Sequence, residues 1–283
     1  MQRIGCTVPK ISESGATRQP LTQTVGLLKM SELYKLYKGD CYEILPTLEG
    51  VKACISDVPY GMNYWHGASY SAVKRVRTRH VDTKIIGDDK PFDPAPFLNF
   101  DVVALFGANH FANRLPNSKG WMVWNKRPGM KPMDFSDCEL IWTNQQTHIK
   151  MIEFMWSGVC RQGEAGEIVL HPTQKPIAVM RWIIQELTQP DDVIFDPFMG
   201  SGSTGVAALQ LGRRFIGCEI DPNYFATAEK RIKQAAQQPA LWHATQHSVQ
   251  RTANAVSQQA SFIADGEFHR RRVAQPAAAN ANR

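Results

Sequence analysis

The fold is decided by residues 192–204, which read Asp192-Val-Ile-Phe-Asp196-Pro-Phe-Met-Gly200-Ser-Gly202-Ser-Thr204. The short apolar run before Asp196 predicts a buried strand, and apolar residues at helical spacing over 206–211 predict a helix directly afterwards. The two glycines between them permit positive φ angles and a close approach of the backbone to a ligand. A strand, a glycine-rich turn and a helix in this order predict the ligand-binding edge of an open α/β sheet.

Neither of the two common phosphate-binding loops fits this turn. A Walker A loop would continue with Gly-Lys-Ser/Thr, and the dinucleotide fingerprint does not begin with Asp-Pro-Phe. The next strand-like run, residues 214–219, ends in Glu219, which follows Asp196 at about the 20-residue spacing that places an acid on a ribose diol. The turn and the acid together predict a nucleoside site.

A second segment, whose side chains could take part in a reaction, lies much earlier in the chain. There Ser56-Asp57-Val58-Pro59-Tyr60-Gly61 follows the apolar run 51–55. The Asp57 carboxylate and the Val58 carbonyl can accept the two hydrogens of an exocyclic base amine, whose lone pair is otherwise delocalised into the ring. Pro59 stiffens the loop, and Tyr60 can stack on a base flipped out of a duplex. Alone this is an ordinary turn, but the later glycine-rich segment favours methyl transfer to a base amine.

Composition sets broad bounds on the function. The chain has 283 residues, 43% of them hydrophobic, which is typical of one large domain, and a net charge of +6 that is compatible with a polyanionic partner. No apolar stretch approaches the roughly 20 residues that span a bilayer, so we expect a soluble, cytoplasmic protein with no membrane partner. The six cysteines are widely spaced without a Cys-x-x-Cys pair, which argues against zinc, any other metal site or a disulfide framework.

The order of segments predicts one domain with polar ends. We expect a disordered extension at 1–30, the functional domain at 31–236 and a disordered polar tail at 237–283. Predicted strands lie at 34–38, 52–56, 102–106, 121–124, 140–143, 193–195 and 215–219. Predicted helices lie at 42–48, 110–115, 177–187, 204–211 and 224–236. Short buried strands that alternate with helices indicate an open, mostly parallel sheet.

With both motifs in place, the chain resembles the S-adenosylmethionine-dependent DNA amino-methyltransferases, which modify adenine at N6 or cytosine at N4. The tetrapeptide at Asp57 precedes the Asp-Pro-Phe-x-Gly-Ser-Gly segment, an order similar to the permuted β group. The resemblance extends over about residues 34–233. It implies S-adenosylmethionine as cofactor and a circularly permuted, Rossmann-like α/β fold, with a seven-stranded, mostly parallel sheet, helices on both faces and one antiparallel strand near the edge.

The resemblance also carries over site residues. Asp57, Val58, Pro59 and Tyr60 match the catalytic tetrapeptide. For the cofactor, Asp40 corresponds to an acid that meets the adenine, the segment 171–176 closes over the methionine end, and Glu219 is the ribose acid. The implied cofactor residues are Asp40, Thr173, Lys175, Asp196, Pro197, Phe198, Gly200, Ser201, Gly202, Ser203, Thr204 and Glu219.

One departure from the family pattern bears on the activity. Val58 replaces the first proline of the tetrapeptide, which keeps the backbone carbonyl and loses rigidity. Asp57 rather than serine favours adenine N6 by family tendency. Cytosine N4 methylation, an RNA or protein-glutamine methyltransferase, and a catalytically inactive DNA-binding homologue stay open as alternatives. Cytosine C5 methylation is disfavoured because its Pro-Cys nucleophile motif does not occur.

The expected partner is double-stranded DNA. Residues 61–90, directly after the tetrapeptide, mix basic and aromatic residues and predict a DNA-contacting loop. The side chains predicted to contact DNA are Lys74, Arg75, Arg77, Arg79, Lys126 and Arg127. The family places target recognition at about 145–170, a short segment that indicates a short or relaxed target. These features fit an orphan modification enzyme of a phage or mobile element better than a fused restriction enzyme, and a homodimer is left open.

Overall fold

The computed structural model describes residues 30–63, 85–131, 136–157, 160–163, 170 and 173–238. Its strands are β1 Tyr34–Lys38, β2 Ala53–Ser56, β3 Val102–Phe106, β4 Trp121–Asn125, β5 Cys138–Thr143, β6 Lys150–Glu153, β7 Trp156–Ser157, β8 Cys160–Arg161, β9 Val193–Asp196 and β10 Arg214–Glu219. Its α-helices are α1 Met30–Leu33, α2 Cys41–Ile44, α3 Ile177–Leu187, α4 Ser203–Gln210 and α5 Pro222–Ala236. The predicted extension and tail lie almost wholly outside these ranges.

Eight strands form the main sheet in the order β1-β10-β9-β2-β3-β5-β4-β6, and β7 and β8 form a separate two-stranded ribbon. All neighbouring pairs in the main sheet are parallel except those that involve β5, which runs antiparallel to β3 and β4. The predicted fold class, a mostly parallel α/β sheet with one antiparallel strand, is confirmed. The sheet has eight strands rather than seven because β6 adds an edge strand beyond β4.

Strand order brings distant parts of the chain together at the centre of the sheet. β2 pairs in parallel with β9, with Ala53 opposite Ile194 and Cys54 opposite Phe195. Because parallel strands end at the same edge, the segment after Ser56 and the segment after Asp196 emerge side by side. The two motifs found in the sequence therefore share one edge of the sheet.

The two faces of the sheet are covered differently. On one face α3, α4 and α5 pack on a core that includes Ile55, Phe106 and Phe215. On the other face, α2 and short 3-10 helices cover strand residues such as Phe195, and Phe97 of the 3-10 helix Ala95–Phe97 is part of the same core. Helices therefore lie on both faces, but only one face carries long ones.

Two predicted helices are shorter or tighter than expected. The helix predicted at 42–48 is α2 followed by the 3-10 turn Leu45–Thr47, because Pro46 has no N–H to continue an α-helix. The helix predicted at 110–115 is two 3-10 turns, Ala108–His110 and Ala112–Arg114, separated by Phe111 with φ −134°.

Within the described ranges, no helix is long and apolar enough to cross a membrane.

Candidate active site

Asp57 lies just beyond the carboxyl end of β2, and both of its carboxylate oxygens have partners. The Tyr60 hydroxyl donates to Oδ1 at 2.7 Å, and the Lys175 ammonium lies 2.5 Å from Oδ2. The Asp57 side chain is 19% exposed and that of Lys175 is 7% exposed. Burial raises the pKa of Asp57, and the charge of Lys175 opposes that rise. The carboxylate is thus held in a fixed orientation at the centre of the sheet edge.

The ring of Tyr60 is fixed by residues that follow β3. His110 stacks on it, with ring centroids 5.2 Å apart and an interplanar angle of 12°. Gly107 has φ +64°, and a Cβ at this position would lie 2.0 Å from the tyrosine ring. The ring therefore fits into space that only glycine leaves open, and one of its faces is already occupied by histidine. No local pattern in the sequence indicates either contact.

The chain after Tyr60 is anchored by Asp88, a residue that sequence reasoning missed. Asp88 is buried, and its Oδ1 accepts hydrogen bonds from the backbone N–H groups of Gly61 at 2.8 Å and Met62 at 3.3 Å. Gly61 has φ +76°, and a Cβ there would lie 2.7 Å from the Lys90 carbonyl oxygen. The loop that carries the tetrapeptide is therefore anchored at both ends, by β2 and by Asp88.

Asp196, at the end of β9, ties three segments together. Its Oδ1 accepts hydrogen bonds from the Ser56 hydroxyl at 2.6 Å and the Phe198 backbone N–H at 3.1 Å. Its Oδ2 accepts from the Thr204 hydroxyl at 2.5 Å, at the start of α4. The side chain is buried, and burial raises its pKa to about 6. Asp196 therefore joins β2 to the glycine-rich loop.

We expect the stability difference between the wild type and Asp196→Asn to depend on pH. The pKa of Asp196 in the folded protein, about 6, lies above its ordinary value of 3.8. Its stabilising contribution is therefore complete below pH 3.8 and is lost as the pH rises through about 6, whereas asparagine does not titrate. Between pH 8 and pH 5 the wild type should gain about 1 kcal/mol of unfolding free energy relative to the variant.

Urea unfolding at the two pH values measures this difference. Ser118→Ala is the matched control. The Ser118 hydroxyl donates only to the backbone carbonyls of Gly120 and Thr143, and its replacement removes no titrating group. The loss of unfolding free energy caused by Ser118→Ala should be the same at both pH values. An Asp196→Asn difference that also stays constant would contradict the raised pKa.

The glycine-rich loop is shaped by positive φ angles and close packing. Gly200 has φ +51° and Gly202 φ +82°, and a Cβ on Gly202 would lie 3.0 Å from the Cβ of Ala228 on α5. The Gly200 N–H donates to Glu219 at 2.9 Å, and the other oxygen of that carboxylate accepts from the Asp221 N–H at 2.8 Å. Burial raises the pKa of Glu219. The predicted ribose acid thus also supports the loop.

Arg231 on α5 holds the same loop from the helical side and was not singled out from the sequence. Its guanidinium donates to the Ser201 carbonyl at 2.6 Å and to the Ser201 hydroxyl at 2.9 Å. It also reaches the Ser203 hydroxyl at 3.4 Å. Ser201 and Ser203 are buried, so their side chains contribute mainly to the shape of the loop.

The remaining predicted cofactor residues lie around the same edge. Asp40 follows β1, is exposed, and caps α2 by accepting from the Tyr42 N–H at 2.9 Å. Pro197 begins the loop after β9. The half-buried ring of Phe198 packs edge-on against Phe92 and Phe97.

The segment 173–176 links the two loops. The Gln174 side chain is buried and lies 3.5 Å from the Ser201 hydroxyl. The next residue, Lys175, points instead to Asp57, and its ammonium also reaches the Thr173 carbonyl at 3.4 Å. Lys175, predicted from the resemblance as a cofactor residue, therefore contacts the Asp57 carboxylate in this structure.

The predicted DNA contacts are only partly within the described residues. Lys74, Arg75, Arg77 and Arg79 lie outside them, as does His171 of the predicted closing segment. The predicted recognition segment 145–170 contains β6 and the β7–β8 ribbon in its described part.

Lys126 and Arg127 lie within the described residues, and both side chains contact other residues of the chain. The Lys126 ammonium donates to Glu139 at 3.1 Å. The Arg127 side chain is 3% exposed, pairs with Asp137 at 3.1 Å and donates to the Lys131 carbonyl at 2.9 Å. Burial of its guanidinium does not fit the prediction that Arg127 contacts a phosphate. A charge count could not reveal this, because it does not separate buried from exposed cations.

Comparison with known proteins gives one family. A model described as "DNA methylase", for N6 and N4 methyltransferases, matches residues 109–230. This range contains the glycine-rich loop and Lys175, and it begins after the tetrapeptide at Asp57.

Within the described residues, no cluster of His, Cys, Asp and Glu could hold a metal ion.

Individual relatives match part of the chain. The Type II methyltransferase M2.LlaDCHI of Lactococcus lactis subsp. cremoris is 34% identical over 115 residues, 41% of this chain and 42% of its own length. The putative methylase YubD of Escherichia coli K12 is 45% identical over 73 residues, 25% of this chain and 32% of its own. The chain thus spans less than half the length of these curated relatives. Among solved structures, the M1.HpyAVI–SAM complex is 24% identical with a TM-score of 0.45, covering 70% of this chain and 98% of that one.

Proposed function

Since the chain is a relative of the DNA amino-methyltransferases, with residues 109–230 carrying their domain, we propose that it transfers a methyl group from S-adenosylmethionine to the exocyclic amine of a flipped DNA base. The observation that carries the proposal is the pairing of β2 with β9. This pairing brings the Asp57 loop beside the glycine-rich loop after Asp196, so that an acceptor for amine hydrogens and a nucleoside site share one sheet edge.

The residues of that edge fit such a cofactor. Gly200 and Gly202 have no side chains that would separate a ligand from the backbone in front of α4. The first N–H groups of α4 point out of this end of the helix. The neighbouring parallel strands β1 and β10 end near Asp40 and Glu219, whose carboxylates suit amine and hydroxyl donors. The ring of Phe198 is half-buried at the same edge. The bound cofactor supplies an electrophilic methyl group on sulfur.

The chain's own residues act on the amine. An oxygen of Asp57 and the backbone carbonyl of Val58 accept its two hydrogens, which directs the nitrogen lone pair towards the methyl group. Tyr60, held by His110 and Gly107, fixes the orientation of the carboxylate through its hydroxyl. The rate gain comes from positioning and from fixed charges, without a covalent intermediate.

Adenine N6 is the proposed target, because Asp57 supplies a carboxylate acceptor where the family tendency links aspartate to adenine. Cytosine N4 is the second candidate, since a cytosine amine has the same two hydrogens to donate. Double-stranded DNA is the proposed partner, with the loop 61–90 as its main contact.

The direct test is methyl transfer from tritiated S-adenosylmethionine to unmethylated DNA, followed by separation of N6-methyladenine from N4-methylcytosine. N6-methyladenine is the expected product. N4-methylcytosine would overturn the adenine assignment, and label in RNA or protein alone would overturn DNA as the substrate. Cofactor binding without transfer to any of these would indicate an inactive DNA-binding homologue.

We expect Glu219→Ala to weaken S-adenosylmethionine binding by about 1–3 kcal/mol, because it removes charge-assisted hydrogen bonds to the ribose hydroxyls. The change also deprives the Gly200 N–H of its acceptor. Isothermal titration calorimetry measures the effect, with Glu229→Ala on the exposed side of α5 as control. Equal affinities for both variants and the wild type would show that Glu219 does not bind the ribose.

A further inference from the structure

Lys175 lies between two carboxylates on different strands. Its ammonium is 2.5 Å from Asp57 and 3.5 Å from Oε2 of Glu139 on β5. The other oxygen of Glu139 accepts a hydrogen bond from Lys126 at 3.1 Å. Two cations and two anions thus form one partly buried cluster, here called the four-charge cluster, which comprises Lys126, Glu139, Lys175 and Asp57.

The cluster raises a difficulty for the proposed reaction. Tyr60 donates to Oδ1 of Asp57 and Lys175 to Oδ2. Each oxygen keeps a second lone pair, but each already accepts one hydrogen bond, and the bond to Oδ2 comes from a full positive charge, which weakens Oδ2 as an acceptor for an amine hydrogen. Tyr60 is held by stacking on His110, whereas Lys175 sits at the end of a flexible side chain with a second anion nearby. Lys175 is the donor that can move.

Glu139 offers the place to which it can move. Its Oε2 is buried, and among the described residues its one partner is the Lys175 ammonium, in an ion pair that is longer than an ordinary hydrogen bond. The 3.5 Å separation from Lys175 exceeds an ordinary N–H···O length by less than about 1 Å. A small shift of the ammonium would therefore exchange the Asp57 bond for a bond to Glu139, with the cation paired throughout.

We propose that Glu139 is a positioning residue that takes over Lys175 when the target base binds, so that Oδ2 of Asp57 becomes free for an amine hydrogen. This inference rests on the proposed methyl transfer. The strand that carries Glu139 was predicted at 140–143, but Glu139 itself was not singled out, because its contact joins β5 to a residue 36 positions further along the chain.

The charges give the inference a measurable pH signature. Asp57 faces Lys175, Glu139 and Tyr60, and Glu139 faces Lys175 and Lys126. Burial raises the pKa of Asp57, Lys175 lowers it, and the negative charge of Glu139 raises it again. Loss of the Glu139 charge should therefore lower the pKa of Asp57. The acid limb of the pH–rate profile, where Asp57 must be ionised, should move to lower pH.

The test is Glu139→Gln, which keeps the size of the side chain and removes the anion. We expect the single-turnover rate to fall about 10–100-fold, the effect typical of a reacting group that is misplaced, while the dissociation constant for S-adenosylmethionine is unchanged. The matched control is Glu186→Gln, which removes a glutamate from an ion pair with Lys150 on the surface and should leave rate and profile unaltered.

A second variant separates positioning from simple charge balance. Glu139→Gln combined with Lys126→Gln restores the net charge of the cluster but still gives Lys175 no second anion. The double variant should stay slow. Recovery of the wild-type rate, or a slow single variant with an unshifted acid limb, would overturn the positioning role.

Failure of the proposed function would look different. If the wild type transfers no methyl group, the function is wrong, and the pKa of Asp57 can still be followed by carbon NMR of the labelled carboxylate in the unliganded protein. A lower pKa in Glu139→Gln than in Glu186→Gln is expected in that case too. Equal values would overturn the sharing of Lys175.

Discussion

Replacement of Asp57 by alanine is expected to reduce methyl transfer by at least about 1000-fold, the effect typical of a lost group that stabilises the transition state. Asp57 is the carboxylate that ends β2 beside the glycine-rich loop, and its orientation is fixed by Tyr60 and Lys175. Without it the amine keeps its lone pair in the ring, and the Lys175 charge is left with Glu139 alone. The tritium assay on unmethylated DNA measures the loss.

Cofactor binding separates a catalytic effect from a folding effect. The dissociation constant for S-adenosylmethionine should change little in Asp57→Ala, because the loop that follows β9 is shaped by Asp196, Glu219 and Arg231. Asp101→Ala is the control carboxylate, since Asp101 forms an exposed pair with Lys52 at the other end of the strands. Wild-type product levels from the Asp57 variant would overturn the catalytic assignment.

Gly107→Ala should have the second largest effect, a loss of about 100-fold in rate that corresponds to displacement of a reacting group by about 1 Å. The added Cβ would lie 2.0–2.3 Å from three atoms of the Tyr60 ring, so the ring must move. Its hydroxyl then loses the hydrogen bond to Asp57, and its stacking on His110 is disturbed.

Backbone strain alone is controlled by Gly50→Ala. Gly50 has φ +65°, nearly the angle of Gly107, and a Cβ there meets nothing within 4 Å. The left-handed backbone should cost each variant about 1–2 kcal/mol of unfolding free energy. Gly107→Ala should lose more stability than this, because its Cβ overlaps the Tyr60 ring, and only Gly107→Ala should lose the rate. Equal rates in the two variants would mean that the position of Tyr60 does not matter for the chemistry.

Local patterns predicted the elements of the fold well where periodicity and boundary residues agree. The helix Ile177–Leu187 follows Pro176, and its bounds match the prediction. β6 was missed because Lys150–Glu153 is short and half polar, and it becomes a strand only through pairing with β4. Its place at the edge of the sheet is a tertiary effect that the local sequence does not encode.

The residues of the candidate site fall into the same two groups, those that local patterns identify and those that depend on contacts between distant parts of the chain. Residues within the two motifs could be identified because glycine, proline and carboxylate at fixed spacing have chemical meaning. Asp88, Glu139 and Arg231 act through contacts with residues 13 or more positions away, and a single charged residue in a polar stretch carries no signal of such a partner.

The sheet order also constrains how the protein is made. Among the described residues, β1 lies at an edge of the sheet and pairs with β10 alone, so β1 cannot be paired until β10 has been synthesised. The central pairing of β2 with β9 is delayed in the same way. Until some 180 residues have been added, the nascent chain carries an unpaired apolar strand edge of the kind that promotes aggregation. Closure of such a long loop costs entropy before packing can offset it, which makes folding slow. The sheet edge that carries the Asp57 loop and the glycine-rich loop therefore cannot be assembled before β10 has been synthesised.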